Sequence, residues 1–184
     1  MPLALGDTKE KLKNAIIYFV TNDKNVGLTK LMKLLYYLDF RHYEETGHSV
    51  TGLIYRAWPY GPVPSVLYEE LQGHDRGLGV KGVVKLFPTA DGAINNIAIT
   101  SSYKFSATPF TKREIRILEN VSEIFKNVSA GTASEVSHEL DKPWDITRGT
   151  KRDKAEIDYA LALKDLDQDV IEEIKEAPGG IGSF

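Results

Sequence analysis

The chain has 184 residues with 42% hydrophobic residues, a composition typical of one globular domain. Its formal net charge of -3 excludes the broad positive field on which non-specific nucleic-acid binding depends, and no apolar run is long enough to cross a bilayer. Because cysteine is absent, disulfides, thiolate nucleophiles and thiolate metal sites are excluded as well.

Two helices are predicted at the beginning of the chain. Asp7, followed three residues later by Glu10, indicates a helix start, and apolar residues continue at helical spacing to Val20. A second helix should begin near Thr29 and end at Gly47. This second helix is apolar nearly all round, and helices of that kind are usually buried at the centre of a fold. One stripe of it carries Leu31, Leu34, Leu35, Leu38 and His42.

The middle of the chain predicts strands. Residues 50–58 are rich in β-branched and aromatic side chains, and the proline-rich run that follows should end this strand. A short helix is expected over residues 65–71. Two further strands, 83–87 and 94–100, are separated by an Asp-Gly hairpin signal. We therefore expect a small antiparallel sheet.

Capping-box patterns predict three more helices toward the C-terminus. In each, a threonine or aspartate is followed three residues later by glutamate, at Thr111 and Glu114, at Thr132 and Glu135, and at Asp153 and Glu156. The last of these helices should run to about residue 163, and an acidic helix should follow over residues 169–176.

Together these elements predict an α+β fold, a mainly α-helical single domain with a central buried helix and a small antiparallel β-sheet. We expect the domain to span residues 1–177 and residues 178–184 to form a flexible tail. The opening residues lack the pattern of a secretion signal. A cytoplasmic location, without membrane association, is therefore expected.

Residues 77–82 match G-x-G-x-x-G, a pattern typical of nucleotide-binding loops. A dinucleotide fingerprint must follow a strand and open a helix, whereas this segment follows a predicted helix and precedes a predicted strand. We therefore interpret these glycines as part of a loop.

The histidines and one aspartate are the remaining candidates for chemistry. No pair of histidines has the spacing of a zinc site, so neither a metal nor a cofactor is predicted. His42 should be a core or boundary residue. His138 either holds the corner before Pro143 by hydrogen bonds or acts as a general base, and we favour the first. Asp39 should accept hydrogen bonds from a tyrosine hydroxyl, an arginine or backbone N–H groups; the alternative is an acid or base with a raised pKa.

Aromatic residues are concentrated in one segment, since eight of the 18 lie between residues 36 and 68. Most of these rings should belong to the core. Large amphipathic side chains beside a proline-rich turn are also typical of binding hot spots, so we predict that Arg56, Trp58 and Tyr60 contact a partner. Alternatively, Trp58 folds inward over the second helix. The basic residues Arg148, Lys151, Arg152 and Lys154 either contact phosphate or an acidic partner or form a solvated face, and we favour the solvated face.

Several short motifs occur in an order that resembles the Panacea domain of SocA-type antitoxins. They are KLMKLLYYLDF at residues 30–40, Gly47, YGPVP at 60–64, and Ser137-His138 followed by Pro143-Trp144. The resemblance spans roughly residues 8–163 and makes Asp39, Gly61, Pro62, His138 and Trp144 its structural motif residues. Members often carry Gln at the position of Met32 and Phe at that of Tyr37; we interpret both differences as packing changes, and they give no information about the choice of partner.

The resemblance implies a mainly helical domain of bacteria and their phages that neutralises a protein toxin by direct contact. It brings no catalytic residues. Some relatives act as adaptors that hand the toxin to an AAA+ protease, and others carry an added helix-turn-helix. We therefore predict an antitoxin that is not an enzyme. A nucleic-acid-binding phage or transcriptional regulator is the first alternative, although nucleic-acid binding is not expected, and an enzyme of unknown reaction is the second.

Overall fold

The structure is a computed structural model that describes residues 5–23, 25–126, 142–150 and 152–163. Its helices are α1 (Leu5–Asn22), α2 (Leu28–Thr46), α3 (Ser65–Leu71), α4 (Lys112–Phe125), α5 (Lys142–Thr150) and the 3-10 helix η1 (Tyr159–Leu163). Its strands form two antiparallel pairs, β1 (Arg56–Trp58) with β2 (Gly61–Val63) and β3 (Val84–Pro88) with β4 (Ile94–Ile99). The predicted mainly helical α+β fold is confirmed. The predictions for residues 132–138, 169–176 and 178–184 lie outside the described residues.

Helix α2 is the centre of the fold, as its sequence predicts. Thirteen of its nineteen residues are buried, and it contacts α1, α4, β2, β4 and η1. Gly47 ends the helix in the left-handed conformation with φ 72°, where its N–H donates to the Tyr43 carbonyl at 2.8 Å. A residue with a Cβ would be strained at that angle, so glycine is the residue that the predicted stop requires.

Helix α4 begins at the predicted capping box. The Thr111 hydroxyl accepts from the Glu114 N–H at 3.2 Å, while the Glu114 carboxylate accepts from the Thr111 N–H at 2.7 Å. The same carboxylate is paired with the Lys11 ammonium at 2.9 Å, and both side chains are almost fully buried. One glutamate therefore both starts α4 and fastens it to α1.

The strand predicted over residues 50–58 is much shorter in the structure, where the strand consists of Arg56–Trp58. The N–H groups of Val50 and Thr51 donate to the Asp39 side chain, so they cannot join a strand ladder. The strand ends where the proline-rich run begins, as predicted, and the run then turns back to form β2. Pro62 lies opposite Ala57 in this pair of strands. The N–H and carbonyl of Ala57 form hydrogen bonds with residues 154–155 and not with β2. The missing N–H of proline therefore interrupts no hydrogen bond between β1 and β2.

The helix predicted from Asp153 is wrong. Residues 154–157 instead run along the open edge of β1, where the Ala57 N–H donates to the Ala155 carbonyl at 2.8 Å and the Ile157 N–H donates to the Tyr55 carbonyl at 2.9 Å. Only Tyr159–Leu163 are helical. The unpaired backbone groups of an edge strand require hydrogen-bond partners. In this segment, the hydrogen bonds formed with β1 outweigh the local preference for a helix.

The proline and tryptophan that follow the predicted corner lie inside a helix. Pro143 and Trp144 are the second and third residues of α5. Proline is well tolerated in the first helical turn because its missing N–H would have no intrahelical partner there. Trp144 is thereby placed on a helix that packs against β1.

The β3–β4 hairpin agrees with the predicted strands within one residue at each end. Val84 lies opposite Ile99, and the register shifts between Phe87 and Pro88. The Ile97 N–H donates to the Val26 carbonyl at 2.9 Å, which ties the hairpin to the connection between α1 and α2.

Candidate functional site

Asp39 joins the central helix to the segment that leads into β1. Its side chain is 0% exposed, and Oδ1 accepts from the N–H groups of Val50 and Thr51, each at 2.8 Å. Oδ2 accepts from the Thr51 hydroxyl and, at 2.7 Å, from the Tyr55 hydroxyl. The predicted partners, a tyrosine hydroxyl and backbone N–H groups, are confirmed.

Burial is the main cause that raises the pKa of Asp39 to about 6, against the lowering effect of these hydrogen bonds. Because each oxygen of Asp39 accepts two bonds from the protein and no part of the residue meets solvent, a substrate cannot approach the carboxylate in this arrangement. The geometry favours the structural interpretation over general acid or base chemistry.

Aromatic rings pack around this carboxylate. Phe40 stacks on Tyr159 with ring centroids 4.4 Å apart, and Tyr36 and Tyr55 meet edge to face at 5.4 Å. The Tyr159 hydroxyl donates to the Leu53 carbonyl at 2.8 Å. Burial raises the pKa of Tyr55 well above its ordinary value, and the Asp39 charge adds to this effect. These rings are the core part of the aromatic segment.

Residues 58–60, here called the aromatic turn, link β1 to β2. Tyr60 is 90% exposed, whereas Trp58 is half-buried and its ring packs against Tyr68 with centroids 5.3 Å apart. Helix α5 holds the backbone of the turn: Trp144 Nε1 donates to the Trp58 carbonyl at 3.0 Å, and the Arg148 guanidinium donates to the Pro59 carbonyl at 2.6 Å. Trp144 in the family motif is the sequence signal for this anchoring, and the role of Arg148 has no local signal.

The other predicted contact residue, Arg56, lies beside the aromatic turn. Arg56 and Trp58 are alternate residues of β1 and share one face of the strand, while Ala57 between them is buried. The Lys154 ammonium lies 4.8 Å from the centroid of the Trp58 ring. The structure therefore brings Arg56, Trp58 and Tyr60 together at one edge. The described residues of the basic run, Arg148, Arg152 and Lys154, are exposed, which agrees with the predicted solvated face; Arg148 and Lys154 also contact the aromatic turn.

Gly61 and Pro62 position β2 against α2. Gly61 has φ 133°, and a Cβ at this residue would lie 3.2 Å from Cε of Lys33. Glycine is therefore needed both for its backbone angle and for the close approach of the lysine stem. Pro62 is buried as well.

A groove lies beside Tyr60, between the first turns of α2, the β1–β2 hairpin and the tip of the β3–β4 hairpin. Its volume is about 310 Å³. Its lining consists of Leu28, Thr29, Met32, Lys33, Trp58, Tyr60, Pro62, Val63, Tyr68, Gln72, Gly92, Ala93 and Ile94. The groove therefore adjoins two of the three predicted contact residues.

The glycine-rich loop is organised by a carboxylate of the protein. Glu70 is 2% exposed and accepts from the N–H groups of Leu78 at 2.7 Å and Val80 at 2.8 Å, with longer bonds from those of Arg76 and Lys81. In nucleotide-binding loops such N–H groups bind phosphate. Here they bind Glu70, which supports the interpretation of this segment as a loop. Glu70 was not predictable from a local pattern, because its partners follow it by six to eleven residues.

His42 is a buried residue at the end of α2, as predicted. Its Nδ1 lies 2.7 Å from the His48 carbonyl oxygen, and burial lowers its pKa. His138 lies outside the described residues. Within the described ranges, no group of three or more His, Asp or Glu residues is placed to hold a metal ion.

The comparisons with known proteins identify the family. No curated protein and no solved structure matches the chain, and none of the helices in the described part is long and apolar enough to span a membrane. A family profile described as "Antitoxin SocA-like, Panacea domain" matches residues 31–145. The matched range begins in α2 and ends in α5, so it contains Asp39, the aromatic turn and Trp144. The chain therefore belongs to the SocA-like antitoxin family with a Panacea domain.

Proposed function

We propose that this protein is an antitoxin that neutralises a cognate protein toxin by direct binding through the aromatic turn and Arg56. The observation that carries this proposal is the exposure of Tyr60, 90%, on a backbone that Trp144 and Arg148 hold in place. A side chain presented by an anchored turn loses little conformational freedom when a partner binds it. Tyrosine, tryptophan and arginine are also the residues most enriched in binding hot spots.

We also propose that the protein acts without catalysis. The buried carboxylates of Asp39, Glu70 and Glu114 all bind groups of the protein itself, an arrangement that serves folding and leaves them no access to a substrate. Asp39→Asn and His138→Gln should therefore reduce protection only as far as they reduce folding or toxin binding. A variant that folds and binds toxin fully but no longer protects would contradict this proposal.

Co-expression tests the proposed function. The product of the adjacent reading frame should arrest growth when expressed alone, growth should return with this chain, and the two proteins should co-purify. Tyr60→Ala should weaken both effects, whereas Tyr103→Ala, which shortens a tyrosine that is 37% exposed elsewhere, should not. Rescue of growth without a complex would contradict direct binding, and salt-dependent DNA binding would favour the regulator.

We propose further that binding alone is sufficient. The purified chain should then inhibit the purified toxin in a stoichiometric manner with no protease present. If inhibition in vitro fails while the toxin is rapidly lost from cells that carry this chain, the protein acts as an adaptor for an AAA+ protease instead.

A further inference from the structure

We propose that the groove beside Tyr60 receives a large apolar side chain of the toxin together with a neighbouring carboxylate. This inference rests on the proposed function for the identity of its occupant. The chemistry of the groove can nevertheless be tested with small molecules, without a toxin.

The shape and apolar lining of the groove suit a side chain. Its volume of about 310 Å³ lies at the small end of ligand pockets, which span roughly 300–1,000 Å³. The walls include the apolar side chains of Leu28, Met32, Val63 and Ile94. The aromatic rings of Trp58 and Tyr68 also line the groove. Apolar walls beside an exposed Tyr60 are typical of the pocket that accepts an anchor residue.

The charges around the groove favour an anion. The Lys154 ammonium lies over the Trp58 ring, and this ring lines the groove. No carboxylate belongs to the lining formed by the described residues. Asp91, at the nearby hairpin tip, accepts from the Thr89 hydroxyl. A carboxylate that enters the groove beside Trp58 would therefore be attracted by the Lys154 ammonium, in surroundings where water screens charge only partly.

The Trp58 indole is a second, independent indication. Its Nε1–H is buried and has no hydrogen-bond partner among the described residues, although the ring lines the groove. Buried indole N–H groups usually have an acceptor, and leaving one unmatched is unfavourable. A carboxylate oxygen in the groove would supply the missing acceptor once the indole ring turns its N–H toward the groove.

Two probes with the same ring and opposite charge separate these contributions. The chain has two tryptophans, so an ¹⁵N-labelled sample gives two indole N–H signals, and Trp144 does not line the groove. Titration with 4-phenylbutyrate should shift the Trp58 signal saturably and that of Trp144 less. 4-Phenylbutylamine should bind at least about tenfold more weakly.

Matched variants locate the probe. Ala93→Phe should fill the groove and abolish the shift, whereas Ala90→Phe, on the same hairpin but outside the lining, should leave it unchanged. Thr29 is exposed at the rim on the second residue of α2. Thr29→Glu should weaken binding of 4-phenylbutyrate and Thr29→Lys should strengthen it. The helix dipole affects stability in the opposite sense, favouring Glu over Lys, so a change in folding cannot imitate this result.

The outcomes that overturn the inference differ from those that overturn the proposed function. Equal binding of the two probes, or no shift with either, contradicts an anionic apolar occupant. A Trp58 shift that grows with protein concentration alone would assign the groove to a second copy of the chain. If Ala93→Phe blocks the probe but leaves toxin affinity unchanged, the toxin does not use the groove. If the probes behave as expected but no toxin is neutralised, the proposed function fails and the chemistry of the groove stands.

Discussion

Two regions rich in aromatic residues adjoin each other in this chain and have opposite surroundings. Around Asp39, Tyr36 and Tyr55 are fully buried and pack ring against ring. In the aromatic turn, Tyr60 projects almost entirely into solvent. The difference shows that the position of the backbone, and not the type of side chain, decides whether a ring stabilises the fold or is available to a partner.

The two regions are also mechanically connected. Asp39 fastens residues 50–55 to α2, and the chain then passes through β1 into the aromatic turn, which α5 holds from the other side. A weakened core should therefore disturb the turn, whereas a change at the tip of the turn should leave the core intact. Four predictions test this asymmetry.

The largest effect should come from Leu35→Ala in the core. Leu35 is fully buried in α2, so its truncation should leave a cavity that costs about 2–5 kcal/mol of the free energy of unfolding. Neutralisation should fail through unfolding. Urea melts measure the loss, and Ile54→Ala, at a residue that is 53% exposed, is the matched control with a much smaller effect. A Leu35→Ala melt equal to that of the parent would show that the core is elsewhere.

The second prediction concerns pH and Asp39. Its pKa is about 6 when folded and 3.8 ordinarily, so the folded protein binds the proton more tightly and stability should rise as pH falls through this window. The difference corresponds to about 3 kcal/mol. Asp39→Asn should lack this contribution, whereas Asp75→Asn, at an exposed residue outside the helices and strands, should retain it. Parallel pH profiles of stability for the parent and Asp39→Asn would contradict the prediction.

The third prediction separates two rings of the aromatic turn. Tyr60→Ala should weaken toxin binding by about 2 kcal/mol, roughly thirtyfold, with an unchanged melting temperature. Trp58→Ala should lower both affinity and melting temperature, because the Trp58 ring also packs against Tyr68 and Lys154. Calorimetry and thermal melts measure the two effects. If the variants Tyr60→Ala, Trp58→Ala and Arg56→Ala all bind the toxin with unchanged affinity, the toxin contacts a different surface.

The smallest effect should come from Arg56→Ala. Arg56 is exposed, and its side chain makes a long bond of 3.4 Å to the Lys154 carbonyl, so the free energy of unfolding should change by less than about 0.5 kcal/mol. Its effect on toxin binding should be mainly on the association rate and should diminish with added salt, as expected for a charge at the rim of an interface. A large loss of stability would show that Arg56 stabilises the fold, as the buried residues around Asp39 do.

Local signals in the sequence were sufficient for the elements whose partners lie close by in the chain. The Thr111–Glu114 capping box, the stop at Gly47 and the hairpin around Gly92 depend on hydrogen bonds and backbone angles within a few residues. The burial of α2 also followed from its own composition, since a helix that is apolar on all sides requires neighbours on all sides. Asp39 lies on this buried helix, and a buried carboxylate requires hydrogen-bond partners, so its internal partners were predictable as well.

Only the tertiary structure decided the features whose partners are distant in the chain. Residues 154–157 carry a helix signal, yet they pair with β1, which lies about a hundred residues earlier. The anchoring of the aromatic turn by Trp144 and Arg148, and the groove between α2 and two hairpins, arise in the same way. The sequence by itself determined the family motifs, the buried helix and the candidate contact residues. Which backbone groups remain unpaired, and which segment satisfies them, is known only when the edges of the folded elements meet.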